Sequence, residues 1–259
     1  MMKRNVCMIL TAAMVSMGLT GCAQMKDISE VKAADKNEDK IQIVTTVYPE
    51  YDWVKQVLGN RAKDAEVTLL LKDGEDLHTY EPTAEDRKKI EESDLFVYVG
   101  GESDTWAEEI ADNSDVKTIN LMEVLGKDAK EDDEHVWLSV KNAKTICSEI
   151  ADVLGEIDAE HVADYKIYLG AYMEKLNALD YEFKASVNGI AGKELVVENA
   201  EACSNLLDDY SVSYADSENV NARQQSIEMN TMEDITDDSI DYIHLMGQNL
   251  DTLRQTLRK

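Results

Sequence analysis

Two histidines lie in short polar loops whose residue types suit the binding of a transition metal. His78 belongs to the segment DLHTYEPT at residues 76–83, and His135 belongs to DEHVWL at residues 133–138. The imidazole side chain is a common ligand for Zn²⁺, and also for Mn, Fe, Cu and Ni ions. The alternative is that these are two unrelated histidines of surface loops. The pattern predicts a shared metal site only if the fold brings both loops to one place.

The elements around the two loops alternate between strands and helices. The β-branched or apolar runs predict strands, and the segments between them predict helices, with strands at 41–47, 67–71, 95–99 and 116–121 and helices at 49–58, 83–92 and 105–111. This alternation is typical of a parallel sheet with helices on both faces. His78 follows the second strand and His135 follows the fourth. Because ligands of open α/β sheets gather outside the carboxyl ends of the strands, we expect both imidazoles at that edge.

The second half of the chain is predicted to be mainly helical. A helix at 139–154 precedes a long amphipathic helix at 158–187, which would extend about 45 Å and act either as a spine between two lobes or as a surface helix. Beyond it we predict a strand at 195–197, a short helix at 202–210, an irregular polar stretch at 211–225 and a final helix at 238–257. His161 and His244 lie on these helices, and we expect neither to be a ligand.

Composition excludes some classes of function. The chain has 53 acidic and 26 basic residues and a formal net charge of −27, so it would repel nucleic acid. The sequence motifs of zinc proteases, serine hydrolases and nucleotide-binding loops are absent, which argues against an enzyme. A zinc hydrolase built from two histidines, a carboxylate and a water is the remaining catalytic alternative, and the sequence places no general base for it.

The first residues predict export and lipid anchoring. Lys3 and Arg4 precede an apolar run at 6–19, and the segment LTGC ends at Cys22. This order is typical of a signal peptide at residues 1–21 followed by a lipid-modified Cys22. Residues 22–40 contain few large apolar side chains and are predicted to be a flexible tether.

Only two other cysteines remain in the exported part of the chain. Cys147 and Cys203 either pair in an oxidising compartment or stay separate, and we predict two separate thiols.

The histidine loops and their surroundings resemble the ZnuA/TroA-type lipoproteins, the metal-binding components of ABC importers for zinc and manganese. Four segments carry the resemblance, namely TTVYPEYDWVKQVLGN, LLLKDGEDLHTYEPTAEDRKKIEESDLFVYVGGESDTW, DEHVWLSVKNAKTICSEIADVLGEID and MNTMEDITDDSIDYIHLMGQNLDTLRQTL. The resemblance implies an α/β fold of two parallel-sheet lobes, at 41–137 and 189–259, joined by connecting helices at 138–188, with the metal in the cleft. His78 and His135 match the first two ligands. It also implies Zn²⁺ or Mn²⁺ as cargo, an importer permease as partner, a monomeric protein, and attachment to the outer face of the membrane.

The sequence departs from the family pattern in its C-terminal lobe. The family takes a third ligand just after the first strand of this lobe, where Glu198 and Glu201 flank the expected position without a family-like motif. At least one strand–helix–strand unit, roughly 30 residues, is missing after Asp216, and we expect the fourth-ligand loop to lie within it. Glu198, Glu201 or Asp216 are the candidates to complete the site, with Cys203 as a softer alternative.

This departure leaves two functional hypotheses open. One is a working metal receptor with an altered site. The other is a degenerate paralogue that keeps the fold without high-affinity metal binding and acts as a surface interaction protein or a weak metal buffer.

Overall fold

A computed structural model describes residues 40–257 apart from 73, 131–132, 189–193, 221–225, 234 and 236–238. Its first half is built on a parallel sheet with the strand order β2-β1-β3-β4. The strands are β1 (Ile41–Thr45), β2 (Ala65–Leu69), β3 (Leu95–Tyr98) and β4 (Lys117–Asn120). The central strands β1 and β3 are short apolar runs covered on both faces, as parallel strands usually are. The predicted signal peptide, Cys22 and the tether up to residue 39 lie outside the described residues.

Helices connect these strands. They are α1 (Tyr48–Leu58), α2 (Ala84–Glu91), α3 (Thr105–Asp112) and α4 (Leu121–Leu125). Thr83 and Asp86 form a reciprocal capping box that fixes the start of α2, directly after the His78 loop. Gly100 has φ +84° just past β3, a conformation that favours glycine and ends the strand. The predicted strand–helix alternation is therefore confirmed across this half.

Two long helices form the middle of the molecule, α5 (Val140–Ile157) and α6 (Val162–Val187). The predicted apolar stripe of α6 is buried at five positions, Tyr165, Tyr172, Leu176, Leu179 and Phe183. Its 26 residues span about 39 Å at 1.5 Å per residue. The helix begins at Val162 and not at 158, because Asp158 ends α5 and residues Ala159–His161 form a 3₁₀ turn. Among the described residues, no helix has the length and apolarity to span a membrane.

The second sheet is smaller and also parallel, with the order β6-β5-β7. Its elements are β5 (Glu194–Val197), α7 (Ser204–Asp209), β6 (Ser213–Asp216) and β7 (Ser226–Ile227), followed by α8 (Tyr242–Leu257). The prediction that residues 211–225 are irregular was wrong for β6. That strand has few β-branched residues and forms because it pairs with β5, Leu195 opposite Tyr214. The expected fold class, two parallel-sheet lobes with a long helix and a shortened second sheet, is confirmed.

Two hydrogen bonds of Tyr242 hold the last helix against the first half of the molecule. The hydroxyl of Tyr242 donates to the carbonyl of Trp137 at 2.7 Å, and its backbone N–H donates to Asp52 at 3.1 Å. The indole of Trp137 in turn donates to the carbonyl of Thr231 at 2.7 Å. These bonds join the segment after His135 to the segment before α8, which places both segments beside one cavity.

The two described cysteines, Cys147 and Cys203, are buried and free. The prediction of two separate thiols is thus confirmed.

Candidate metal site

The His78 loop leaves the carboxyl end of β2 and is held at both of its ends. The backbone N–H of His78 donates to Asp76 at 2.8 Å, and the capping box at Thr83 closes the loop. Nδ1 of His78 lies 2.7 Å from the hydroxyl oxygen of Ser103. The side chain of His78 is 46% exposed, so this imidazole is the solvent-facing member of the site.

Ser103 lies at the end of a tight loop, and its backbone N–H donates to Oε1 of Glu134 at 2.9 Å. Asp104 accepts backbone hydrogen bonds from Val99, Gly100 and Gly101 at 2.9 Å each, which folds the chain into a tight loop after β3. Burial raises the pKa of Asp104 to about 6, against the lowering effect of these three N–H donors. The loop therefore delivers the Ser103 hydroxyl to His78 by local backbone geometry.

The second histidine is buried. His135 stands at the start of the 3₁₀ turn Val136–Leu138 and is 8% exposed. Asp133 accepts hydrogen bonds from both its backbone N–H, at 2.9 Å, and its Nδ1, at 3.1 Å. This leaves Nε2 as the nitrogen that faces the cavity. A carboxylate that orients an imidazole through its second nitrogen is common in metal sites.

Glu233 completes a three-residue group with the two histidines. Its Oε1 lies 3.4 Å from Nε2 of His78 and 3.2 Å from Nε2 of His135. One ligand atom from each of these three residues lies within 4.8 Å of the others. Ligand atoms about 2.0–2.1 Å from a tetrahedral zinc lie about 3.3 Å apart, and both distances from Oε1 of Glu233 to the imidazole nitrogens are close to that value.

Glu233 follows a loop with a costly backbone conformation. Met232 is buried and has φ +65°, a left-handed value that is unfavourable for a residue with a side chain. Its N–H donates to Asn230 at 2.8 Å. Asn249 of α8 holds Asn230 by two bonds, accepting from its N–H at 2.7 Å and donating to its carbonyl at 2.9 Å. Hydrogen bonds from Asn249, 19 residues after Asn230 in the sequence, thus hold the loop that precedes Glu233.

The charges of His135, Asp133 and Glu233 depend on one another. Burial would lower the pKa of His135, but its hydrogen bonds with Asp133 and Glu233 raise it to about 9. Burial likewise opposes ionisation of Asp133 and Glu233, yet their contacts with His135 leave both pKa values below the ordinary range. Without a metal, a proton on His135 is the positive charge that balances the two carboxylates.

The cluster lies in a cavity of about 880 Å³ with a strongly acidic lining. Among the described residues, its lining includes no lysine or arginine and ten acidic residues, namely Glu75, Asp76, Glu102, Asp133, Glu134, Glu198, Glu201, Asp216, Glu218 and Glu233. Such a lining attracts cations and repels anions. A divalent cation is the ligand that fits both the donor set and the charge.

The structure brings together only part of the predicted ligand set. His78 and His135 meet as expected, whereas Glu198, Glu201 and Asp216 line the same cavity outside the 4.8 Å group. Glu198 instead accepts a 2.5 Å hydrogen bond from Ser226.

Cys203 offers a protonated sulfur. Burial raises the pKa of its thiol to about 12, so it is a poor ligand at neutral pH.

Glu233 is the ligand candidate that sequence reasoning missed. It lies in the segment MNTMEDITDD, recognised as similar to the family's C-terminal end, but the fourth ligand was expected in the missing unit. Asn199 lies between Glu198 and Glu201, the two residues expected to flank the third-ligand position. Its amide donates to the carbonyl of Met229 at 2.7 Å and accepts from the N–H of Met229 at 3.3 Å, so it braces the loop that carries Glu233.

Comparison with known proteins gives the same assignment. The family model "ZnuA: Zinc-uptake complex component A periplasmic" matches residues 43–226. The zinc-binding protein AdcA of Streptococcus pyogenes is 29% identical over 192 residues, covering 63% of this chain and 37% of AdcA. The chain therefore spans well under half of that curated relative. The manganese ABC transporter substrate-binding lipoprotein scaA of Streptococcus gordonii is 29% identical over 218 residues, 78% of this chain and 67% of scaA.

A solved structure agrees over almost the whole described fold. The crystal structure of the Zn(II)-bound ZnuA-like domain of Streptococcus pneumoniae AdcA superposes with a TM-score of 0.71 at 27% identity, covering 85% of this chain and all of that domain. The family match extends over well more than half of the sequence, and the resemblance first drawn from the histidine loops is confirmed. The chain belongs to the ZnuA family of zinc-uptake, periplasmic substrate-binding components.

Proposed function

We propose that this protein captures a divalent metal ion outside the cytoplasm and passes it to the permease of an ABC importer. The observation that carries the proposal is the convergence of His78, His135 and Glu233, with ligand atoms within 4.8 Å, in a cavity whose described lining has ten acidic residues and no lysine or arginine. Relatives named for zinc and for manganese support the cargo class. Zn²⁺ is our first assignment because two imidazoles and one carboxylate are a preferred zinc set, and Mn²⁺ is the alternative.

The ligands of the proposed site are His78, His135 and Glu233. Three protein ligands leave one position of a tetrahedral zinc open to water. Glu198 and Glu201, which were predicted from sequence, stay proposals as outer carboxylates that draw cations into the cavity. An open fourth position makes exchange of the ion easier, which suits delivery and does not suit permanent structural binding.

Anchoring and organisation belong to the same proposal. A signal peptide at residues 1–21, a lipid on Cys22 and a tether at 22–40 would hold a monomer at the outer face of the membrane. The lobes at 41–137 and 189–259, with connecting helices at 138–188, would carry the site. We assign no enzymatic reaction to the protein, and the lipoprotein relative from Streptococcus pneumoniae supports the anchor.

The degenerate-paralogue alternative keeps one specific observation in its favour. Asn199 is used for bracing where the family places a ligand, so the site has one protein donor fewer. Under this alternative, binding would be weak and the protein would act as a surface interaction protein or a metal buffer.

Calorimetric titration of the purified protein with Zn²⁺ separates the two. The import role predicts binding much tighter than about 10 μM, which corresponds to about 7 kcal/mol. His78→Ala and Glu233→Gln should each weaken it, whereas Glu91→Gln, which neutralises an exposed carboxylate of α2 outside the cavity lining, is the matched control and should bind as the unmodified protein does. Equal binding by unmodified protein and His78→Ala would reject the site. Rescue of growth under zinc starvation then distinguishes transport from buffering.

A further inference from the structure

The carboxylate of Asp133 joins His135 to the opposite lobe. Asp133 is 5% exposed, and one of its oxygens, Oδ1, accepts both hydrogen bonds from His135. The other oxygen, Oδ2, accepts from the hydroxyl of Ser204 at 2.5 Å and from the side-chain amide of Asn205 at 2.7 Å. Ser204 and Asn205 are the first two residues of helix α7, which connects β5 and β6 of the second sheet. One buried carboxylate therefore spans the two halves of the molecule.

The donors on α7 decide how Asp133 can behave. A buried carboxylate is costly unless its oxygens are hydrogen-bonded. Because Ser204 and Asn205 donate to Oδ2 and the backbone N–H of His135 donates to Oδ1, Asp133 acts as the acceptor on both oxygens, so the proton in its contact with the ring lies on Nδ1 of the imidazole. That arrangement directs Nε2 toward the cavity and toward Glu233, 3.2 Å away.

The contact between α7 and Asp133 is reinforced at its edge. Lys130 donates to the hydroxyl of Ser204 at 2.8 Å and pairs with Asp208 at 2.6 Å. Because the Ser204 oxygen accepts from Lys130, its own proton is directed to Asp133. The hydroxyl and the amide thus both present hydrogens to the same carboxylate oxygen.

We propose that Ser204 and Asn205 are positioning residues for the metal ligand His135, so that metal occupancy and the bonds of these two side chains to Asp133 stabilise each other. A cation can bind Nε2 only in the ring orientation that the Nδ1–H bond to Asp133 sets, and Ser204 and Asn205 hold Asp133 in the place that sets it. By linkage, losing these two donors weakens metal binding by the factor by which bound metal strengthens their contact with Asp133. The coupling through metal rests on the proposed function, whereas the orientation of His135 does not.

The test compares Ser204→Ala and Asn205→Leu with Ser204→Thr, which keeps the hydroxyl. The control is Ser139→Ala, which removes a part-buried hydrogen bond from Ser139, the N-cap of α5, to Asp209 of α7 at 2.5 Å and leaves both donors to Asp133 in place. We expect the Asn205→Leu and Ser204→Ala double variant to bind Zn²⁺ about 10–100-fold more weakly, the range known for such outer-shell partners. Ser204→Thr should bind nearly as the unmodified protein does. Ser139→Ala should lower the melting temperature and leave the affinity within twofold.

A second readout does not depend on metal. In ¹⁵N-edited NMR of the metal-free protein, the Nδ1–H proton of His135 should exchange slowly with water, and it should disappear in the double variant but persist in Ser139→Ala. If the unmodified protein binds no zinc, the proposed function fails while this resonance still decides the positioning role. An unchanged Nδ1–H resonance in the double variant, or equal loss of affinity in Ser139→Ala, would overturn the proposal.

Discussion

The two halves of the molecule meet their backbone requirements in different ways. Among the described residues, every glycine with positive φ lies in the first half, at Gly59, Gly74, Gly100 and Gly126, whereas the two residues with side chains and positive φ, Ser211 and Met232, lie in the second. The first half places glycine where the backbone needs it. In the second half, with its three-stranded sheet, residues with side chains adopt positive φ. At Met232 side-chain hydrogen bonds stabilise this unfavourable backbone conformation.

This difference shows how a shortened lobe can keep its part of a site. His78 and His135 stand beyond the ends of sheet strands, so the first sheet positions them directly. Glu233 instead depends on Asn249, Asn199 and Trp137, which bracket the loop from three sides. Loss of sheet strands need not displace a ligand that side chains hold in place.

The largest expected effect compares one ligand from each half. His135→Ala removes a buried imidazole and should lower Zn²⁺ affinity by more than about 1,000-fold, or about 4 kcal/mol. Glu233→Gln keeps an oxygen donor in the same place and should cost less, about tenfold. Competition with a coloured zinc chelator measures both. A larger loss for Glu233→Gln than for His135→Ala would show that the second half dominates the site.

The hydrogen bonds of Asn249 should contribute more to the free energy of unfolding than the side-chain cap of Asn120 in the first half. Asn249→Leu takes the partner away from the part-buried N–H and carbonyl of Asn230, and should lower the free energy of unfolding by about 2 kcal/mol. The comparison is Asn120→Ala, which removes the N-cap of α4 and should cost about 1 kcal/mol. Urea denaturation measures both, and equal losses would contradict the bracketing role.

Zinc affinity should rise with pH because the carboxylate of one half charges the imidazole of the other. Zinc must displace the proton of His135, whose pKa is about 9, so affinity should increase about 25-fold between pH 7.0 and 8.5, or about 2 kcal/mol. Glu233→Gln should flatten this dependence, since it removes one cause of the raised pKa. If calorimetry found that the zinc affinity of the unmodified protein does not change with pH, Glu233 of the second half would not raise the pKa of His135 in the first.

The same shift has the opposite consequence for the metal-free fold. The pKa of His135 is higher in the folded protein than in the unfolded chain, where it is about 6.5. Its contribution to stability is therefore complete below about pH 6.5 and is lost as the pH rises through about 9. Thermal melting of the metal-free protein across this range should show that decline, and His135→Ala should remove it.

The smallest expected effect tests the backbone contrast itself. Ser211 is exposed and has φ +54° directly after α7. Ser211→Gly should raise the free energy of unfolding by about 0.5–1 kcal/mol, because glycine adopts this conformation without strain. Gly126→Ser in the first half is the opposite change and should destabilise by more, because φ +53° with ψ −122° lies outside the left-handed region that a residue with a side chain can adopt. Urea denaturation gives both values, and the same sign for both would refute the contrast.

The sequence predicted the first half well because its signals are local. Apolar runs marked the strands, and Thr83 with Asp86 marked the start of α2, so the loops of His78 and His135 could be placed at one edge of a sheet. In the second half the decisive contacts are distant. Nothing in the spacing of Glu233 shows that Asn249 fixes its loop, and β6 lacks the β-branched run that would have marked it before its pairing with β5 was known.

Because the two imidazoles differ in exposure, one side of the site is open to solvent and the other is enclosed. His78 is half open to solvent and held on a loop, whereas His135 is enclosed by Asp133 and Trp137. Water can therefore replace the first imidazole on a bound ion well before it reaches the second. An ion would arrive and depart by way of His78, with His135 as the last contact broken, so a receiving permease would meet its cargo on that face.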